Sequence, residues 1–278
     1  MTSAPSLDER PEAEAIERTA FEAMHAAAGP ELSATLSLSL APVGDGVVAV
    51  AAGLPASATV LNCAVGFGLT RPFEPGWIDE AMARFLAAGV ERYTIHGNKA
   101  AEAAGLEEAC LSRGLARVRD WQKFERGPED TPPGGLPEAP GLETREIGPE
   151  HAVAFAEIVC AGFDLGALAV PWLARLIDHP DWRCFVTFEG GRPVGTGALF
   201  VRGTEVWTDF GATAEHARGR GVQGSNLATR VRVALEGGAT RLHTCTGTAI
   251  VGEPQHSYRN IERCGFKPTS IRANYGPL

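Results

Sequence analysis

The sequence predicts a mixed α/β protein of two domains, each a mostly antiparallel central sheet flanked by helices. Period-two strand patterns alternate with amphipathic helical stretches along all 278 residues. Between them lies GPEDTPPGGLPEAPG (127–141), acidic, rich in Pro and Gly, with Leu136 its one large apolar residue. Such a segment marks a linker between two domain-sized pieces, 1–126 and 142–278. The halves also look alike. AGVERYTIHGN (88–98) and GGATRLHTCTG (237–247) share Gly-x-x-Arg before a strand pattern. CLSRGLARVRDW (110–121) and IERCGFKPTSIR (261–272) both end a helix at Gly and resume as a strand. The similar spacing of these segments suggests a duplication.

In the first half, a helix over 8–28 precedes strands at 32–40, 46–52 and 57–67. A helix at 76–88, a strand at 91–96, a helix at 99–113 and a strand at 115–125 complete it. The second half opens with a strand at 142–147 and helices at 149–162 and 167–178, Pro149 suiting a helix start. Strands follow at 182–189, 192–201 and 205–213, the first two joined by a Gly190-Gly191 turn. Leu227, Val231, Ala234 and Leu235 share one face of a helix at 221–236. A strand at 240–246, a helix at 255–264 and a last strand at 266–275 end the chain.

A net charge of −9 and a pI near 5.3 argue against broad nucleic-acid or membrane-surface binding. The N-terminus is acidic (Asp8, Glu9, Glu12, Glu14) and lacks the cationic-then-apolar order of a signal peptide. The longest apolar run, VVAVAAGL, is short of a membrane span. A soluble cytoplasmic protein is the expectation. The six cysteines form no CxxC pair and read as reduced thiols. His243-x-Cys245 puts two candidate metal ligands on one strand face, but no second pair accompanies them, so no metal is expected.

ARGRGVQGSNL (217–227) contains Gly219-x-Gly221-x-x-Gly224, the letters of a dinucleotide-binding turn. That motif requires an acid about 20 residues later and most of a parallel sheet beyond it. Here Thr244 stands near that place, and too little chain follows. No GxxxxGK[ST] is present either. What remains is physical: a strand, a Gly-rich turn with Arg218 and Arg220, then a helix. Glycines let backbone amides converge, and the helix N-terminus adds partial positive charge, so the turn is suited to a pyrophosphate. The competing reading is a solvated basic turn that only caps a helix.

A second segment, HSYRNIERCGF (256–266), tips the balance. Arg218-x-x-Gly221-x-Gln223, followed by Ser257-x-Arg259-Asn260-x-Glu262-Arg263-x-Gly265-Phe266, resembles the GCN5-related N-acetyltransferase (GNAT) superfamily over roughly 145–278. Gln223 departs from the small residue usual at its position. The resemblance implies acetyl-CoA or another acyl-CoA as cosubstrate. Its pyrophosphate would lie on the amides of residues 218–225 (Arg218, Gly219, Arg220, Gly221, Val222, Gln223, Gly224, Ser225). Its pantetheine arm would run beside Gly211, Ala212 and Thr213, where the family's strands splay, with Ser257 and Tyr258 on the far side.

Direct acyl transfer needs a base for the amine and an acid for the departing thiolate. Asp209 is the candidate base, with Glu205 a weaker one on the same strand face. The family's tyrosine acid, four residues before the Gly of Gly-Phe, is Ile261 here. Tyr258, one turn earlier, is the candidate substitute, with packing or adenosine contact the competing role. An acyl-Cys245 route and His243 or His256 as bases rank lower. In the first half, the matching stretch NCAVGFGLTRPFEPGW (62–77) offers few converging amides. It reads as a degenerate copy that shapes the acceptor pocket or stabilises the second half, with an altered CoA site as the alternative and Phe67, Phe73 and Trp77 as core. The acceptor is an amine of a small molecule or a protein. Monomer and homodimer stay open, as does a non-catalytic acyl-CoA sensor.

Overall fold

A computed structural model describes residues 11–252 and 254–278. Asp8, Glu9 and the predicted first turn of the opening helix lie outside the described residues. The first half runs α1 (Pro11–Thr35), β1 (Leu38–Val43), β2 (Gly46–Ala51), β3 (Cys63–Val65), α2 (Gly76–Ala87) and β4 (Thr94–His96). It continues with α3 (Lys99–Ala103), α4 (Leu106–Leu111), β5 (Ala116–Arg117) and β6 (Trp121–Arg126). The second half runs β7 (Leu142–Glu146), α5 (Ala152–Phe163), α6 (Val170–Ala174), β8 (Trp182–Glu189), β9 (Arg192–Arg202) and β10 (Glu205–Thr213). It ends with α7 (Val222–Glu236), β11 (Arg241–Gly247), α8 (His256–Arg263), β12 (Lys267–Arg272) and β13 (Asn274–Gly276).

The strands form two sheets, ordered β1-β2-β3-β4-β13-β5 and β7-β8-β9-β10-β11-β6-β12. From β1 and from β8 onward the two orders match position by position. In each, one parallel pair (β3 with β4, β10 with β11) sits among antiparallel ones. The final strand of each half crosses to the other sheet. β6 pairs β11 (Leu242↔Arg126) and β12 (Pro268↔Phe124), while β13 pairs β4 (Asn274↔His96) and β5 (Tyr275↔Arg117). The break at 126/127 therefore does not coincide with the division between sheets. Alternation of side chains specifies that 121–126 is a strand; it carries no address for its partner.

The halves are also joined by helix packing. Ile16 and Met24 of α1 share a core with Phe155, Trp172 and Phe210 of the second half. Trp172 donates its indole N–H to the Met24 carbonyl at 2.8 Å. Separate cores lie under α2 and α4 in the first half and under α7 and α8 in the second.

Several predicted elements differ, each for a local reason. The first helix runs on past 28 to Thr35 through a kink at Gly29 (φ 68°), followed by Pro30. Residues 99–113 split into α3 and α4 at Gly105, whose φ of 91° no helix interior tolerates. Of 57–67 only Cys63–Val65 is strand; Ala58 and Leu61 are buried, but within turns closed by Ala58 N–H to Pro55 O and Leu61 N–H to Ala58 O. The last strand divides at Ala273 because its two parts serve different sheets. No helix among the described residues is long and apolar enough to cross a membrane.

Candidate active site

β10 and β11 pair in parallel only over Glu205–Trp207 and Arg241–His243. Two threonines brace the point where they part: Thr208 donates to the His243 carbonyl at 2.6 Å, and Thr244 to the Thr208 carbonyl at 3.0 Å. Just beyond, β10 carries a bulge between Asp209 and Ala212, with Phe210 held at φ 52°. A bulge adds a residue to one strand and bends it. Here it turns β10 away from β11 and opens a wedge between Asp209–Thr213 and Cys245–Gly247.

A cavity of about 630 Å³ occupies this wedge and continues between the two halves. At one end it is lined by Gly211, Gln223, Leu227, Ser257 and Ile261, at the other by Glu17, Phe21, His96, Arg272 and Asn274. Asp209 lies between them. Its carboxylate accepts from the Trp207 indole N–H (3.0 Å) and from the Phe210 N–H (2.7 Å). Burial pushes its pKa above the ordinary carboxylate value, against the lowering effect of those two hydrogen bonds. The nearby Glu17 adds to the rise and Arg230 opposes it. A carboxyl group so placed accepts a proton more readily than an ordinary exposed carboxylate.

After β10 the chain makes a 3-10 turn (Glu215–Ala217) and enters α7 through Gly219 (φ 78°) and Gly221 (φ 81°), both left-handed. Side chains at those φ values are strained, so glycine sets the turn. The Ser225 N–H is bonded to the Gly221 carbonyl at 2.9 Å. The amides of Val222, Gln223 and Gly224 precede it and form the open N-terminal end of the helix. These amides, with the exposed Arg218 beside them, fit a diphosphate. Arg220 instead pairs with Glu189 at 2.8 Å on the surface. Val222 points inward onto Val194 and Ala217, leaving its backbone for a ligand, whereas Ser225 has its N–H bonded to Gly221 and its hydroxyl 3.4 Å from that of Thr144. Two linker residues flank the turn: a Cβ on Gly221 would lie 3.2 Å from Ala139, and one on Gly224 3.7 Å from Pro137.

Gln223 bridges α7 to α8, donating to the Ser257 hydroxyl (3.2 Å) and accepting from the Asn260 amide (2.8 Å). Gly211, Gln223 and Ser257 thus meet in one cavity, while Ala212 and Thr213 continue β10 beside β9. Tyr258 does not face this cavity; its ring packs edge-on against Phe124, centroids 5.0 Å apart. Spacing along α8 explains this, since Ser257 and Ile261, four apart, take the cavity face and Tyr258 falls to the side. Glu205 is held by the buried His243 at 2.6 Å, before the strands part. Cys245 lines the cavity, but burial drives its thiol pKa upward, away from a nucleophilic thiolate.

Sequence reading missed two sets of residues. Glu14 and Glu17 of α1, Lys123 of β6 and Arg272 of β12 form a buried ion cluster, with Lys123–Glu14 3.0 Å, Lys123–Glu17 2.6 Å and Arg272–Glu17 2.6 Å. The signal was present: both acids lie among Ala13, Ile16 and Ala20 on the apolar face of α1. The other residue is Arg230, buried on α7 between Leu227 and Val231, an arginine on an apolar helix face.

In the first half, the equivalent turn follows β3 and contains Gly66 (φ 85°) and Gly68 (φ 77°). Its amides already have an anion. The Asp45 carboxylate accepts from the N–H groups of Gly68 (2.8 Å), Thr70 (2.6 Å) and Arg71 (3.3 Å) and from the Thr70 hydroxyl (3.1 Å). Phe67, Phe73 and Trp77 are buried against one another beneath it.

No family model matches the sequence, and no curated protein matches it either. Solved structures do. A GCN5-related N-acetyltransferase from Kribbella flavida aligns over 92% of this chain and 95% of its own at 19% identity, TM-score 0.60. One from Sphaerobacter thermophilus covers 98% and 94% at 17% identity, TM-score 0.59. A tandem GNAT protein from the clavulanic acid biosynthesis pathway covers 98% and 96% at 15% identity, TM-score 0.57. The fold is therefore that of the GCN5-related N-acetyltransferases, matched along nearly the whole chain.

Proposed function

We propose that this protein is an acyl-CoA-dependent N-acyltransferase, with acetyl-CoA the first donor to test, whose working site lies in the second half. One observation carries the reading. The bulged, splayed strand bearing Asp209 leads directly into a helix N-terminus with open amides, and one cavity links the two. The amides of Val222, Gln223 and Gly224, within the expected 218–225 stretch, would hold the donor's pyrophosphate with the Arg218 side chain beside them, because the Arg218 and Ser225 N–H groups are bonded to the Glu215 and Gly221 carbonyls; the wedge beside Gly211–Thr213 would take its arm. The donor supplies a thioester carbonyl. Asp209 takes the proton of the attacking ammonium, so the neutral nitrogen can bond to the carbonyl carbon as the carbon–sulfur bond breaks. The nitrogen sheds its second proton as it becomes an amide, and water relays that proton to the departing thiolate, because Ile261 fills the place of the family's tyrosine and Tyr258 is packed on Phe124. The first half, its own loop filled by Asp45, would build the far wall of the acceptor pocket through Glu17 and His96, together with Asn274 of β13, the strand that joins its sheet. The acceptor is an amine of a small molecule or protein, and the protein acts in the cytoplasm as a monomer or homodimer.

The absent tyrosine supports a second reading, an acyl-CoA sensor without turnover. Asp209→Asn separates the two. An enzyme releases free CoA from acetyl-CoA in the presence of an amine panel, and the variant loses that release while still binding acetyl-CoA. Wild-type protein that binds acetyl-CoA yet never releases CoA above background would favour the sensor.

A further inference from the structure

We propose that Arg230 is a positioning residue of this site, the buried cation that holds the β10 bulge and with it the Asp209 carboxyl in its working place. The inference rests on Asp209 being the base proposed above. Arg230 is 3% exposed and reaches from α7 beneath the sheet. Its Nη1 donates to the carbonyl of Asp209 (3.0 Å) and to that of Ala198 on β9 (3.1 Å). It therefore ties together the two strands at the point where their register shifts. The Thr196 hydroxyl donates to the Phe210 carbonyl at 3.1 Å, so both carbonyls of the bulge are held from the protein side.

Room for the guanidinium has been made by glycine. A Cβ on Gly197 would fall 2.4 Å from Cζ of Arg230 and 2.5 Å from its Nε. Burial costs the cation enough to bring its pKa down to about 10, and the Asp209 carboxylate favours the charged form. A cation that only needed to fill space would be replaced without loss by an apolar side chain, since burying a charge is costly. This one instead lines the cavity and lies beside the reacting strand, with its Nη2 3.5 Å from where a Gly211 Cβ would stand. Two effects follow. The strained φ of Phe210 is kept, which aims the Asp209 carboxyl at the cavity. The positive charge also favours the carboxylate form of Asp209, opposing burial.

The test replaces Arg230 with Met, which keeps length without charge, and with Lys, which keeps charge. The readout is the titration of the Asp209 carboxyl carbon by NMR, assigned with Asp209→Asn, so it does not depend on turnover. Alongside it run acetyl-CoA calorimetry and the pH dependence of kcat. In Arg230→Met, Asp209 should titrate at higher pH than in wild type, and any acid limb of kcat should move up with it. kcat should fall on the order of tenfold to a hundredfold, as expected when a reacting group is displaced. Acetyl-CoA affinity should change less than about threefold, which is under 0.7 kcal/mol. Arg230→Lys should recover part of the shift. Gly197→Ala, whose Cβ presses on both the guanidinium and the Asn226 side chain without removing either, should move the titration in the same direction should the Met variant not fold, and Asn226→Ala, which leaves Arg230 in place, should not. Folded Arg230→Met or Gly197→Ala protein with a wild-type Asp209 titration would overturn the assignment. Variants that shift the Asp209 titration as expected, in a protein whose wild-type form never turns over, would leave the positioning intact and defeat only the enzyme reading.

Discussion

The two glycine turns that follow β3 and β10 occupy the same place in sheets of the same strand order, and they differ in what their amides face. After β3, three N–H groups and a hydroxyl converge on Asp45, a carboxylate from the β1–β2 hairpin. After β10, no side chain is bonded in that way to the amides of 222–224 among the described residues, and the exposed Arg218 stands beside them. One turn has its anion covalently supplied by the chain. The other is open for an anion that must arrive from solution. The strands differ too: β3 is three residues long, whereas β10 is nine, bulged, and parts from its parallel neighbour over a cavity. Two sheets of matching strand order thus differ in whether the turn after the equivalent strand is already filled.

The largest effect should come from the strand. Asp209→Asn should lower kcat by about 10²–10⁴-fold, the range of a lost general base, with little change in acetyl-CoA affinity. Steady-state release of free CoA checks it. Because burial raises the Asp209 pKa, activity should decline as pH falls through that raised value, and the decline should vanish in the variant.

Next comes the open turn. Gly221 sits at φ 81°, where a β-branched side chain is strained by roughly 1–2 kcal/mol. Gly221→Val should weaken acetyl-CoA binding about tenfold or more. The same substitution at Gly68 should leave affinity unchanged, and equal losses at both turns would break the comparison.

The filled turn should answer to stability rather than to ligand. Asp45 loses something to burial, but the Thr70, Gly68 and Arg71 amides outweigh that and hold its pKa below the ordinary value. A depressed acid stabilises the fold above its unfolded pKa, near 3.9, and the contribution is lost as pH falls through the folded value. Asp45→Ala should therefore cost roughly 1 kcal/mol at pH 7, as for a lost cap, with acetyl-CoA affinity unchanged. Denaturant unfolding at pH 7 and again at about pH 3, where the wild-type advantage should shrink, checks the sign.

The smallest effect is expected at Arg220, whose exposed pair with Glu189 contributes about 0.2–1 kcal/mol at most. Arg220→Ala should change acetyl-CoA affinity less than Arg218→Ala does. The reverse order in calorimetry would reassign which arginine serves the ligand.

Much of this was legible in the sequence because it is local. β8, β9, β10 and α7 follow from alternation, a Gly-Gly hairpin and an apolar helical face, and the open turn from its glycines and arginines. Asp209 was legible as an acid on the strand that leads into such a turn. What escaped is non-local. Residues 115–125 and 266–275 each read as one strand, but each divides between the two sheets, and that exchange depends on partners more than a hundred residues away. Asp45 carries no mark of the loop it fills, which lies across a hairpin and a strand. Tyr258 looked like a substitute acid from its position near Ile261, and only the helix rotation shows its ring against Phe124. Arg230 and Glu17 left a legible sign, a charge on an apolar helix face, whose meaning appears only with the cavity beside it.

If the turn after β10 takes the donor and the turn after β3 does not, titration calorimetry of the purified protein with acetyl-CoA, with NAD as control, should show it. Acetyl-CoA should bind with micromolar affinity at about one site per chain, abolished or sharply weakened by Gly221→Val and untouched by Asp45→Ala. Two sites per chain, or binding that survives Gly221→Val and is lost with Asp45→Ala, would contradict it.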